Sequence, residues 1–173
     1  PLVASIGGSK VIVECDVTNE SAIDTTFAEI KKLWGNFDFL VHAVAYSNKE
    51  ELKGRYCDTT LENFLNSMHI SCYSFTSVAR RAAAMMPKGG SMLTLSYIGS
   101  ERVIPNYNVM GVAKAALEAS VRYLAGDFGA NNIRVHGLSA GPMKTLAGSA
   151  IANARYTFRT AEQTAALNRS VTL

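Results

Sequence analysis

The chain has 173 residues, of which 48% are apolar and 18% charged, with a formal net charge of +3. That length suits one domain with a sizeable core, and the composition is that of an ordinary globular protein. The charge is too small and too scattered to argue for nucleic acid, since Arg80-Arg81 is its densest pair, and no apolar run approaches the roughly 20 residues of a membrane span.

Strand-like and helix-like segments alternate along the chain. Residues 11–15 (V-I-V-E-C) form a short β-rich run. Residues 21–34 carry Ile23, Phe27, Ile30 and Leu33-Trp34 at helical spacing, with Asn19 or Ser21 as the cap. Residues 38–45 (D-F-L-V-H-A-V-A) read as a continuous apolar strand buried on both faces. A long helical stretch covers about 60–86 and is ended by Pro87 and Gly89-Gly90. Residues 91–97 form the next strand, 107–128 the next helix, and 133–138 a further strand leading into Ser139-Ala140-Gly141-Pro142.

This alternation predicts βαβ units, and so a Rossmann-like, doubly wound parallel α/β sheet with helices on both faces. Ligands in such sheets bind beyond the carboxyl ends of the strands. Four segments come after four predicted strands and should meet in one crevice: Asp16-Val17, Ala43-Val44-Ala45-Tyr46-Ser47, Ser96-Tyr97, and 141–146. No G-x-G-x-x-G phosphate loop occurs, and Gly7-Gly8 precedes a strand instead of coming after one. The expectation is therefore a single dinucleotide-binding domain over 1–173 that is incomplete at both ends, without its glycine-rich loop and its closing strand.

Three side chains stand out in the stretch S-Y-I-G-S-E-R-V-I-P-N-Y-N-V-M-G-V-A-K: Tyr97, Tyr107 and Lys114. Tyr107 and Lys114 are separated by about two helical turns, which would place them on one helix face. A lysine beneath a tyrosine can lower the phenol's pKa. The phenol can then give a proton, or a strong hydrogen bond, to an oxygen that becomes negative during reaction. A solvated lysine and a packing tyrosine are the plainer alternatives for each residue taken alone. Asp16 could equally close a turn. His42, inside an apolar run, reads as a core histidine, and Met85, Met86 and Met110 as core. His69 and His136 have no companions at ligand spacing, so no metal site is expected. Cys15, Cys57 and Cys72 are odd in number and without metal-type spacing, which suits a reducing, cytoplasmic setting.

C-D-V-T (15–18), F-D-F-L-V-H-A-V-A (37–45), the stretch from Leu93 to Leu124 and I-R-V-H-G-L-S-A-G-P-M-K-T-L-A (133–147) together resemble the short-chain dehydrogenase/reductase superfamily. More narrowly, they resemble the bacterial-type, NADH-dependent enoyl-acyl-carrier-protein reductases. Ordinary members of the superfamily use Tyr-x3-Lys with an upstream serine; here the spacing is Tyr-x6-Lys, with Tyr97 near the serine's place.

The resemblance implies reduction of the trans-2 double bond of an enoyl thioester on acyl carrier protein, with NADH (or NADPH) as cofactor, in fatty acid biosynthesis. It implies that Tyr107 hydrogen-bonds the enolate-like oxygen, that Lys114 holds the nicotinamide ribose, and that Tyr97 lines the acyl site. It assigns Asp16 and Val17 to the adenine, and Ala43, Val44, Ala45 and Ser96 to the cofactor. Ala140, Gly141, Pro142, Met143, Thr145, Leu146 and Ala147 fall beside the carboxamide and pyrophosphate. Tyr46, Ser47 and Met110 fall on the substrate side. Residues from Ala147 to about Tyr156 match a substrate-binding loop and helix. A homotetramer in the cytoplasm of a bacterium, or in a bacterium-derived organelle, is implied as well, with neither nucleic acid nor membrane as partner. A ketone- or alcohol-acting dehydrogenase and a non-catalytic nucleotide-binding module are the rival readings.

Overall fold

The computed structural model describes residues 11–143, 154–169 and 171. Its centre is a three-stranded parallel sheet in the order β1-β2-β3, with β1 Phe39–His42, β2 Gly90–Ser96 and β3 Ile133–Ser139. The register places Leu40 beside Met92, His42 beside Thr94, and Met92 beside Val135. The helices are α1 Glu20–Trp34, α2 Leu61–Met68, α3 Ser74–Ala83, α4 Val109–Gly129 and α5 Ala154–Thr164.

Helix α1 starts where Asn19 turns its side-chain oxygen onto the Ser21 and Ala22 amides, which makes Asn19 the cap and not Ser21. Gly35, at φ 71°, ends the helix in a conformation that favours glycine. The long stretch predicted over 60–86 is a single rod with a flaw. Thr60 caps α2 through the Asn63 amide, and a π turn over His69–Tyr73 joins α2 to α3, with the Ser74 amide reaching back to His69 O. The extra residue rotates the face of α3 about the helix axis relative to that of α2. Arg81, on α3, ties this rod to α1 through Glu20 Oε2 at 2.9 Å and Asp24 Oδ1 at 2.6 Å.

Helices α3 and α4 cover one face of the sheet. Phe75, Ala79, Ala82, Met86, Leu117 and Leu124 pack there on Met92, Ile133 and Val135. Phe75, Met86, Met92 and Leu117 are fully buried, each contributing about 1.5–3 kcal/mol of apolar burial. On the other face Phe39 is 70% exposed, Val41 53% and Leu138 49%. The continuous apolar run at 38–45 is therefore buried on one side only among the described residues. Residues 11–15 likewise belong to no strand ladder among the described residues. They run beside α1, where Thr26 donates to Glu14 O at 3.3 Å.

Candidate active site

The site lies at the carboxyl ends of the strands, where β1 gives way to 43–47, β2 to Tyr97, and β3 to 140–143. Ala43, Val44 and Ala45 are exposed there, and Ala140, Pro142 and Met143 partly so. Thr145, Leu146 and Ala147 lie outside the described residues. Asp16 is exposed and closes a turn, accepting from the Thr18 amide at 2.9 Å and the Thr18 hydroxyl at 2.7 Å. The Thr18 amide, then its hydroxyl, holds the carboxyl below its ordinary pKa.

Tyr97 and Tyr107 meet edge to face, with ring centroids 5.0 Å apart and planes at 71°. Tyr107 is buried with Leu52, Val109 and Met110, while Phe64, Tyr97 and Ile104 pack around this cluster. Tyr107 does not belong to the helix. Helix α4 begins at Val109, and the two asparagines flanking Tyr107 have positive φ, 62° at Asn106 and 40° at Asn108. Asn tolerates such angles better than most residues, so the chain can break direction here. The Asn108 side chain donates to Glu51 O at 3.1 Å, which ties the break to the preceding loop. Two glycines make room for the ring. A Cβ at Gly99 would run into Tyr107 Cδ1 and Cε1, and a Cβ at Gly111 would stand 2.8 Å from Gly99 O.

Lys114 is buried on α4, with Nζ donating to Leu95 O at 2.7 Å. Burial lowers its pKa to about 8, against the smaller raising effects of Cys72 and Glu118. The Tyr107 phenol moves the other way from the sequence expectation. Burial, and then Tyr97, push its pKa well above the ordinary value, and the ammonium is engaged on a backbone carbonyl. Burial raises the Tyr97 phenol as well. Both tyrosines are thus held protonated, as hydrogen-bond donors.

The remaining predicted positions are fixed from the rod. Ser71, in the π turn, both accepts from the Tyr46 amide and donates to Tyr46 O, each at 2.9 Å, and it also meets Met110 Sδ at 3.6 Å. Ser67 donates to Ser47 Oγ at 2.9 Å, and Asn63 Oδ1 accepts from the Asn48 amide at 3.0 Å. Ser96 turns its hydroxyl to Glu118 Oε1, which also accepts from Ser100 at 2.6 Å. Sequence reasoning passed over Ser67, Ser71, Asn108 and Glu118. Ser67, Ser71, Ser74 and Ser77 recur at helical spacing and are all buried, a polar stripe visible in the sequence.

His42 is a core residue. Its Nε2 lies 2.9 Å from Ser74 Oγ, and its Nδ1 lies 3.0 Å from Thr94 Oγ1. Both hydroxyls also donate to backbone carbonyls, Ser74 to Ile70 O at 2.6 Å and Thr94 to His42 O at 3.3 Å, so either can accept from the ring nitrogen that bears the proton. Burial, and then the Lys114 charge, lower its pKa to about 4, so it is neutral at physiological pH.

A parallel sheet covered by helices, with two protonated tyrosines at the end of its central strand and a buried lysine on the helix that follows, defines an α/β protein whose crevice lies at the carboxyl ends of the strands. The sequence model described as "Enoyl-(Acyl carrier protein) reductase" matches residues 1–173, and the chain belongs to that family. It is 58% identical over 170 residues to the NADH enoyl-[acyl-carrier-protein] reductase FabI of Rickettsia bellii, covering 98% of this chain and 64% of that protein. With the Bacillus subtilis FabI it shares 49% identity over 163 residues, 94% of this chain and 63% of that protein. The chain thus spans just under two thirds of the length of these relatives.

Among solved structures, the Anaplasma phagocytophilum reductase in complex with NAD superposes with a TM-score of 0.92 at 52% identity, over 99% of this chain and 63% of that one. The Bacillus cereus enzyme with NADP+ and indole naphthyridinone gives 0.95 at 44% identity, over 99% and 67%. The Rossmann-like fold expected from the alternating pattern is the fold of these neighbours.

Proposed function

We propose that the protein reduces the trans-2 double bond of enoyl thioesters carried on acyl carrier protein, with NADH, in fatty acid elongation. The observation that carries this reading is the Tyr97–Tyr107 pair, two protonated phenols packed edge to face, together with the buried Lys114 on the helix that follows. The relatives named for this reaction, aligned over nearly the whole chain, support it.

The residues present fit a dinucleotide. Exposed chain at 43–45 and 141 continues from the ends of β1 and β3, beyond the sheet ladder. Lys114 uses one ammonium hydrogen on Leu95 O, which leaves two donors for ribose hydroxyls. NADH, when bound, supplies the hydride for the β-carbon. Asp16 and Val17 would bracket the adenine, and Ala43, Val44, Ala45, Ser96, Ala140, Gly141, Pro142 and Met143 would border the rest of the cofactor.

Tyr107 supplies the hydrogen bond that matters for rate. Its phenol donates to the thioester oxygen as that oxygen gains charge, and burial removes water that would compete for the bond. Tyr97, half-buried and edge-on, holds the Tyr107 ring in place and lines the acyl site with Tyr46, Ser47 and Met110. Ser96 is engaged by Glu118, so its hydroxyl does not serve as the serine partner of a Tyr-x3-Lys dehydrogenase.

Oligomerisation as a homotetramer accounts for the apolar side chains that α2, the π turn and α4 leave outside: Leu61 at 72% exposure, Leu65, Tyr73, and Tyr123 at 79%. The cytoplasm of a bacterium suits the three free cysteines. No helix among the described residues is long and apolar enough to cross a membrane. The test is oxidation of NADH by the purified protein with a trans-2-enoyl thioester, set against a ketone and an alcohol. Turnover of the ketone or alcohol alone would overturn the reading.

A further inference from the structure

We propose that Glu118 is a positioning residue for this reaction: it fixes the Tyr97 segment to α4 and stands as a counter-charge one helical turn from Lys114. The inference rests on the enoyl reductase reading of the site.

Glu118 stands one helical turn after Lys114 on α4, so the two side chains share a face. Both reach the same piece of chain. Lys114 holds Leu95 O at 2.7 Å, and Glu118 Oε1 takes the hydroxyls of Ser96 and Ser100, the latter at 2.6 Å. These three points bracket Tyr97. The segment between them closes as a tight turn, with the Ser100 amide on Tyr97 O at 2.9 Å. Tyr97 therefore presents its ring to Tyr107 from a backbone pinned on both sides. Gly99, within the same turn, is the residue against which the Tyr107 ring lies. Releasing Glu118 frees the turn, and with it both rings.

The second role is electrostatic. Lys114 is surrounded by few charges. From β1 it meets His42, which is neutral at physiological pH, and from the π turn it meets Cys72, whose thiol burial pushes up and keeps protonated. Against desolvation, which lowers the Lys114 pKa, Cys72 and then Glu118, on the same helix as Lys114, raise it. Removing that carboxylate moves the Lys114 pKa below about 8, so the ammonium is lost at lower pH.

The experiment compares wild type with Glu118→Gln and Glu118→Ala. Steady-state kinetics with NADH and a trans-2-enoyl thioester are measured as a function of pH, and the Lys114 side chain is titrated by NMR. Glu118→Gln keeps an amide oxygen for the two serines but removes the charge. Its kcat near neutrality should fall only a few-fold, while the alkaline rise in KM for NADH moves to lower pH. Glu118→Ala should show the same pH displacement and a kcat lower by on the order of 10- to 100-fold, the scale of a misplaced reacting group. A Glu118→Gln protein with the wild-type pH profile and the wild-type Lys114 titration overturns the proposal, whether or not Glu118→Ala folds. Should wild type show no enoyl reduction, the function fails by itself. The titration still decides the electrostatic role: a lowered Lys114 pKa in Glu118→Gln supports it, and an unchanged one overturns it.

Discussion

The Tyr107 ring lies against Gly99, with no room between them for a methyl group: a Cβ there would stand 2.7 Å from Cε1 and closer still to Cδ1. The 3-10 turn after β2 and the break before α4 are thus fitted to each other through one glycine and one aromatic ring.

Gly99→Ala should therefore act on the site as well as on the fold. Overpacking costs about 1–3 kcal/mol, and here relief requires the Tyr107 ring to move off Tyr97. We expect a lower Tm and a kcat reduced at least tenfold, as on the order of an ångström of misplacement gives. Activity and thermal unfolding of the variant, measured together, check this. Wild-type kcat in a folded Gly99→Ala protein would show that the ring's seat is not needed.

His42 predicts a loss of stability in acid. Its folded pKa is about 4 and its ordinary value 6.5, so the unfolded chain binds the proton more readily. The contribution is present in full above about 6.5 and is lost as pH falls toward 4. Unfolding free energies of wild type and His42→Gln, taken across that window, should converge as pH falls. Parallel curves would contradict the buried, neutral imidazole.

Lys114 predicts two opposite pH effects. Its folded pKa is depressed from 10.5 to about 8, so the native state releases its proton first, and its contribution to stability improves as pH rises between those values. Cofactor affinity should move the other way, because the ammonium proposed to serve the ribose is lost above about 8. A rising KM for NADH beside a rising Tm, relative to Lys114→Met, is the expected signature. A KM independent of pH would remove Lys114 from the cofactor site.

Much of this was legible in the sequence. Apolar periodicity gives the helices and the central strands, because burial on one face imposes it. Turn chemistry at Gly35 and at 87–90 gives their ends. What escaped was set by contacts distant in sequence. The π turn over His69–Tyr73 lies inside an unbroken helical pattern, and it shows only once Ser74 is seen shared between Ile70 O and His42. The start of α4 moved past Tyr107 because Asn106 and Asn108 take positive φ, a choice that the helical pattern downstream does not reveal. Residues 11–15 carry strand propensity but belong to no ladder among the described residues. The direction of the Tyr107 shift was missed because desolvation outweighs a lysine whose ammonium is engaged elsewhere.

The most direct test is the kcat of Tyr107→Phe with NADH and a trans-2-enoyl thioester. The variant keeps the ring and its packing on Gly99 and Tyr97, and loses only the donor. Removal of one such donor costs about 100- to 1000-fold in kcat, with KM for NADH little changed, and that is the result expected. A folded Tyr107→Phe protein that turns over at the wild-type rate would contradict the account.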